Sequence, residues 1–163
     1  MGKKDDKTNV MRVLDQKHID YKHYAFETGE SAPSGVEVAE MLGKDPSEVF
    51  KTLVTVGKSG EHYVFVIPAA KELNLKAAAS AVHEKNIEMI KSKELLGLTG
   101  YVHGGCSPIG MKKAFPTVLD SSALGFETIF FSAGKIGYQV EVEPALLQKA
   151  VPFSFADIIV ETS

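Results

Sequence analysis

Val10, Val13 and Leu14 recur at helical spacing behind Thr8 or Asn9, and predict a short capped helix. Tyr21 to Phe26 is strand-prone. Ser34-Gly35-Val36-Glu37 forms a capping box before Val38, Ala39, Met41 and Leu42, and Gly43 predicts the stop. Asp45-Pro46-Ser47-Glu48 is a second start signal, followed only by a brief turn. Lys51 to Val56 and Glu61 to Ile67 are rich in β-prone residues and flank Gly57-Lys58-Ser59-Gly60, a hairpin signature. Leu75 to Val82 is an alanine-rich helix, and Ser92 to Leu96 predicts another, closed by Gly97. Strand-like segments return at Pro116 to Leu119, Thr128 to Ser132 and Tyr138 to Val142, the last two joined through a turn at Gly134 to Gly137. Glu143-Pro144 opens a helix through Leu147 to Lys149, and Phe155 to Val160 is the final segment. Interspersed helices and hairpins predict an α+β domain with a mixed, mostly antiparallel sheet and flanking helices.

Length fits one domain, since 163 residues is within the range of a single core. Neither repeats nor linkers interrupt the chain, and residues 1–8 read as a flexible tail. A 44% hydrophobic and 24% charged composition excludes collagen, coiled coil and disorder. The single cysteine, Cys106, excludes an internal disulfide framework and fits a reducing compartment. The first residues carry charge instead of a signal peptide's apolar core, and Asp6 stands where a myristoylation motif wants Ser or Thr. No apolar stretch approaches a membrane span, so a cytoplasmic protein is expected. The net charge of −3 argues against gripping long nucleic acid by charge alone.

Most common catalytic signatures are missing. His18, His23, His62, His83 and His103 form no HExxH pair, and one cysteine cannot make the usual zinc patterns, so no metal is expected. GxxxxGK[ST], GxGxxG and GxSxG are absent too. Glycines are dense in Gly100-Tyr101-Val102-His103-Gly104-Gly105-Cys106-Ser107-Pro108-Ile109-Gly110, at an entropic cost that a tight turn or a close approach would justify. Such a loop either converges backbone N–H groups on an anion or polarised carbonyl, or merely connects. Cys106 lacks a base in the sequence pattern, which favours a small buried thiol over a nucleophile. Lys51 heads an apolar β-prone segment, where its ammonium either snorkels to solvent or points into a site.

Four motifs occur in order: Phe50-Lys51-Thr52-Leu53-Val54, Leu73-Asn74-Leu75-Lys76-Ala77-Ala78, the loop from Gly100 to Gly110, and Phe131-Ser132-Ala133-Gly134-Lys135-Ile136-Gly137. Together they resemble the YbaK-type deacylases of the YbaK/EbsC and prolyl-tRNA synthetase editing-domain superfamily, over about Val10 to Val160. The resemblance implies an editing domain over residues 9–163 that removes cysteine from Cys-tRNA(Pro) and Cys-tRNA(Cys), often beside prolyl-tRNA synthetase. It implies catalytic roles for Lys51, Gly104 and Gly105, and substrate contacts from Tyr24, Thr52, Pro108 and Ser132. Cys106 stands where an aliphatic residue is expected and is not carried over as a catalyst.

The resemblance further implies chemistry without a cofactor, in which the substrate's own thiolate attacks its carbonyl and leaves as a thiolactone. Lys71, Lys76, Lys112, Lys113 and Lys135 are candidate contacts for the tRNA acceptor end. Two alternatives remain: a sister deacylase acting on Ala-tRNA(Pro) with water, and a non-catalytic module that binds a nucleotide or an RNA 3′ end.

Overall fold

The computed structural model describes residues 7–28 and 32–160. The elements are α1 (Asn9–Gln16), β1 (Tyr21–Ala25), α2 (Gly35–Leu42), β2 (Phe50–Gly57), β3 (His62–Pro68), α3 (Leu75–Ala81), β4 (Ile87–Met89), α4 (Ser92–Thr99), β5 (Thr117–Asp120), β6 (Ile129–Ser132), β7 (Tyr138–Val142) and β8 (Phe153–Ala156). Short 3₁₀ turns lie at Pro46–Glu48, Ser121–Gly125 and Pro144–Lys149.

Helix starts follow the side-chain caps. Thr8 Oγ1 accepts from Met11 N–H, and the helix turns Val10, Met11 and Leu14 inward. Thr8, placed in the expected tail, is buried; residues 1–6 of that tail lie outside the described residues. In the capping box Ser34 N–H donates to Glu37 at 2.7 Å and Glu37 N–H donates to Ser34 Oγ at 3.2 Å. One predicted end moves. α4 continues past Gly97, because Leu95 and Thr99 are its buried positions, and it stops at left-handed Gly100, φ 86°. In the final segment a strand forms over Phe153–Ala156, and beyond it Ile158 N–H donates to Asp120 Oδ1 at 3.0 Å.

The strands form two sheets in place of the one expected. One is antiparallel, in the order β1-β7-β6; the other is mixed, in the order β4-β2-β3-β5-β8, with β5 parallel to both neighbours. Their apolar faces share the main core: Ile129, Phe131, Val140 and Val142 of the small sheet cluster with Phe50, Val54, Val64, Val66 and Leu119 of the large one. The outer faces are covered by helices. Ala78 and Ala79 of α3 pack with Phe65, Ile67 and Val118, while Val38 and Ala39 of α2 pack with Val49 and Phe130. A parallel bridge between Val49 and Phe130 stitches the sheets together at this seam.

Candidate active site

The seam decides which predicted residues meet. The Val49–Phe130 bridge is parallel, so Lys51 and Ser132 each lie two residues beyond it along their own strands. Side chains alternate along a strand, so Lys51 shares the outer face with Val49 and Leu53, and Ser132 shares it with Phe130. Residues opposed in register lie on one face. Ser132 pairs with Gln139, and Gln139 with Tyr24, giving a polar row across all three strands of the small sheet.

Lys51 is half-buried, and burial pulls its ammonium below the ordinary lysine range while the Glu72 carboxylate pulls it partly back. Ser132 Oγ accepts from Gly134 N–H at 3.0 Å, which leaves the hydroxyl proton free to donate. Gln139 is only 8% exposed, and its Oε1 is buried with no partner among the described residues. An unpartnered buried carbonyl typically costs about 1–3 kcal/mol, so such an atom on a polar face marks a position kept for something other than packing. Tyr24 tilts against Phe130 with ring centroids 5.6 Å apart, and its hydroxyl donates to Glu141 Oε1 at 2.6 Å. That hydrogen bond, with burial behind it, pushes the Tyr24 hydroxyl up to about 12.

The glycine loop closes on the turn that follows Ser132. At Gly105 a Cβ would lie 3.1 Å from the Ile136 amide nitrogen and 3.3 Å from the Lys135 carbonyl carbon. At Gly104, φ +88°, it would lie 2.5 Å from Ala32 Cβ. Close approach accounts for both glycines. The two N–H groups are not equivalent, however. Gly105 N–H is committed to Val102 O at 2.9 Å, whereas Gly104 N–H makes no hydrogen bond among the described residues. Of the predicted donor pair, Gly104 is the one whose amide has no partner among the described residues.

Thr52 and Pro108 are not brought to this face. Thr52 is opposed to Val66 and alternates onto the main-core side, where its Oγ1 is buried without a partner among the described residues. Pro108 lines an apolar cavity with Val66, Leu119 and Phe131 inside that same core. Cys106 is buried there too, and desolvation pushes its thiol up to about 12, against a smaller opposing pull from Thr99. It is a packed thiol with no base to activate it.

Among the lysines singled out, Lys135 lies beside Gly105, exposed, with Nζ 5.1 Å from the Tyr138 ring centre. Lys112 donates to Gly97 O at 3.4 Å. Lys76 and Lys113 are exposed, and Lys71 is half-buried. No group of three or more His, Cys, Asp or Glu among the described residues is placed to hold a metal, and no described helix is long and apolar enough to cross a membrane. Between them, the seam and the glycine loop that closes on it offer a cation, a hydroxyl, a backbone amide and an amide side chain: groups that bind and polarise an acyl ester.

Sequence reasoning missed Gln139 and Glu141. The signal was the alternation of Gln139 and Glu141 with Val140 and Val142, which marks a strand with one polar face but does not say what covers that face.

The model of the aminoacyl-tRNA editing domain matches residues 29–150. Enterococcus faecalis EbsC, provisionally named a Cys-tRNA(Pro)/Cys-tRNA(Cys) deacylase, is 46% identical over 156 residues, covering 96% of this chain and 95% of that protein. A proline–tRNA ligase of Shouchella clausii is 31% identical over 66% of this chain, which spans only 19% of that enzyme. Among solved structures, the hypothetical protein APE2540 superposes with a TM-score of 0.82 at 23% identity, covering 94% of this chain and 100% of that one. A protein provisionally titled a trans-editing enzyme for prolyl tRNA synthetase gives 0.79 at 24% identity, covering 94% and 99%. These two likenesses establish the fold, and the sequence matches establish the lineage: the chain belongs to the aminoacyl-tRNA editing domain family.

Proposed function

We propose that this protein is a trans-editing deacylase that removes cysteine from Cys-tRNA(Pro) and Cys-tRNA(Cys). The observation that carries the reading is the 46% identity to the Enterococcus faecalis EbsC protein over nearly the whole of both chains. The face around Lys51 supports it by what its neighbours are: neither Ser132 nor Gln139 is hydrogen-bonded to a basic side chain among the described residues, and the Tyr24 hydroxyl, bound to Glu141, is held in its neutral form with its ionisation pushed up to about 12.

The nucleophile is then the substrate's own thiol. Its sulfur attacks the carbonyl carbon, the S–C bond forms, the ester C–O bond to the terminal ribose breaks, and the thiol proton passes to the departing ribose oxygen. Cysteine leaves as a cyclic thiolactone, and tRNA leaves with its hydroxyl restored. Holding thiol and carbonyl together makes the step intramolecular, an advantage of up to about 7–11 kcal/mol in well-aligned cases. Gly104 N–H faces the developing oxyanion, Lys51 polarises the ester or holds the adjacent phosphate, and Ser132 donates its free proton to the aminoacyl end. Gln139 supplies an acceptor for the α-ammonium.

The acceptor end approaches past Lys135, at the mouth formed by the two glycine turns. With a net charge of −3, the chain depends on a partner that already grips tRNA, and prolyl-tRNA synthetase in the cytoplasm fits that need.

The test is loss of labelled amino acid from Cys-, Ala- and Ser-tRNA(Pro) with wild type and Lys51→Ala. Cysteine alone should be released, and Lys51→Ala should lower the rate about 10²–10³-fold if it is a transition-state donor. Release of alanine instead would transfer the protein to a water-based mechanism. Brisk cleavage of the serine ester, which lacks the thiol, would refute thiol attack, and wild-type turnover by Lys51→Ala would remove the lysine from the mechanism.

A further inference from the structure

Glu141 has no role in the mechanism above, yet it is the most firmly anchored ionisable side chain beside the site. It leaves β7 on the outer face, opposed to Phe130 on β6 and to Lys22 on β1. Its Oε1 accepts from the Tyr24 hydroxyl and its Oε2 from Thr128 Oγ1, each at 2.6 Å. One carboxylate therefore ties β1 to the segment entering β6, using both oxygens.

The tie reaches toward the lysine strand. Tyr24 lies on the ring of Phe130, whose backbone bridges Val49, two residues before Lys51. Lys44 adds its ammonium 5.7 Å from the centre of the same Phe130 ring. A free tyrosine could swing about its two side-chain torsions and uncover this wall; one whose hydroxyl is held by an anion cannot do so without breaking a charge-assisted hydrogen bond. The carboxylate stays ionised: burial would raise it, but the bonds from Thr128 and Tyr24 and the charges of Lys22 and Lys44 outweigh that and hold it below the usual range.

We propose that Glu141 is a positioning residue that pins Tyr24 as a fixed wall of the aminoacyl site, and so sets how tightly the aminoacyl group is held and distinguished. The inference rests on the deacylase reading. In it Glu141 touches no substrate and acts only through Tyr24.

The test compares Tyr24→Phe, Glu141→Gln and the double variant on Cys-tRNA(Pro) and Ala-tRNA(Pro), with thermal melts to confirm folding. Removing a hydrogen bond to a charged group, read as substrate affinity, should raise KM about tenfold for Tyr24→Phe, and less for Glu141→Gln, whose amide oxygen still accepts but carries no charge, with kcat little changed in both. The preference for cysteine should fall alongside. Because both changes act on the same bond, Tyr24→Phe removing it and Glu141→Gln stripping its charge, the double variant should be no worse than Tyr24→Phe alone. Additive losses, or wild-type KM and selectivity in a folded Tyr24→Phe protein, would overturn the assignment. Should Glu141→Gln fail to fold, Tyr24→Phe keeps the ring and decides the matter alone. Absence of any wild-type turnover would instead overturn the deacylase reading and the positioning role with it. Spectrophotometric titration of the tyrosines would still report on the tether itself, since Glu141→Gln should bring one alkaline ionisation down.

Discussion

Gly104→Ala isolates the contribution of the glycine loop. A Cβ at this position meets two separate penalties. The left-handed φ of +88° costs a non-glycine residue roughly 1–2 kcal/mol. The new methyl would also sit 2.5 Å from Ala32 Cβ, an atom fixed to its own backbone and unable to rotate away. Relieving that overlap means moving one chain segment, and overpacking of this kind costs about 1–3 kcal/mol. The sum is about 2–5 kcal/mol, a large part of the roughly 5–15 kcal/mol that stabilises a typical domain. At about 2–4 °C per kcal/mol for a chain of this size, the melting temperature should fall by roughly 4–20 °C. Gly43→Ala provides the control, because Gly43 has φ +70° but nothing within 4 Å of its Cβ position. It bears the backbone penalty alone and should lose roughly 2–8 °C. Activity separates the two further. Displacing the Gly104 amide by about an ångström should cost on the order of 10² in kcat/KM, as misplaced catalytic groups do, whereas Gly43→Ala should keep its turnover. Calorimetry and the deacylation assay read the two effects. Equal melting shifts for both variants, with turnover preserved in Gly104→Ala, would refute both the close approach and the loop's place at the reaction centre.

Two further outcomes follow from the titratable groups. The Tyr24 hydroxyl, at 10.0 when unperturbed, is raised to about 12 in the fold. Its neutral form is the one favoured by folding, so this contribution is complete below pH 10 and fades as pH climbs towards about 12. The stability difference between wild type and Tyr24→Phe in urea should shrink across that window; a constant difference would show that the tether does not discriminate protonation states. Cys106, with its thiol pushed up to about 12 by burial, should resist iodoacetamide in the native protein near neutral pH and react promptly in urea. Cys106→Ala should retain deacylation, and a loss comparable to that of Lys51→Ala would place the thiol in the mechanism after all.

The sequence alone determined most of the local structure. The Ser34–Glu37 capping box, the hairpin around Gly57 to Gly60 and the turn from Gly134 to Gly137 depend on residues adjacent in the chain, and each forms where its residues predict. Its motifs also indicated the family that the comparisons establish, and with it Lys51, Ser132, Gly104 and Tyr24 as residues to follow. Where an element's end is set by distant partners, local signals misplaced it. Gly97 is a reasonable helix stop, yet burial of Leu95 and Thr99 carries α4 on to Gly100. Beyond the final strand, the Ile158 amide goes to Asp120, 38 residues away.

Tertiary structure decided which residues share a face. Lys51 and Thr52 are adjacent in one motif, but strand alternation sends one to the outer seam and the other into the core. Pro108 belongs to the glycine loop in sequence, yet its ring lines the inner cavity. Gln139 and Glu141 carry no motif; they matter because register sets Gln139 between Tyr24 and Ser132 and puts Glu141 within reach of the Tyr24 hydroxyl. A sequence records caps, turns and periodicity because those interactions span a few residues. The pairing of β6 with β7, and the bridge that joins two sheets at Val49 and Phe130, depend on long-range burial and register, which only the folded chain expresses.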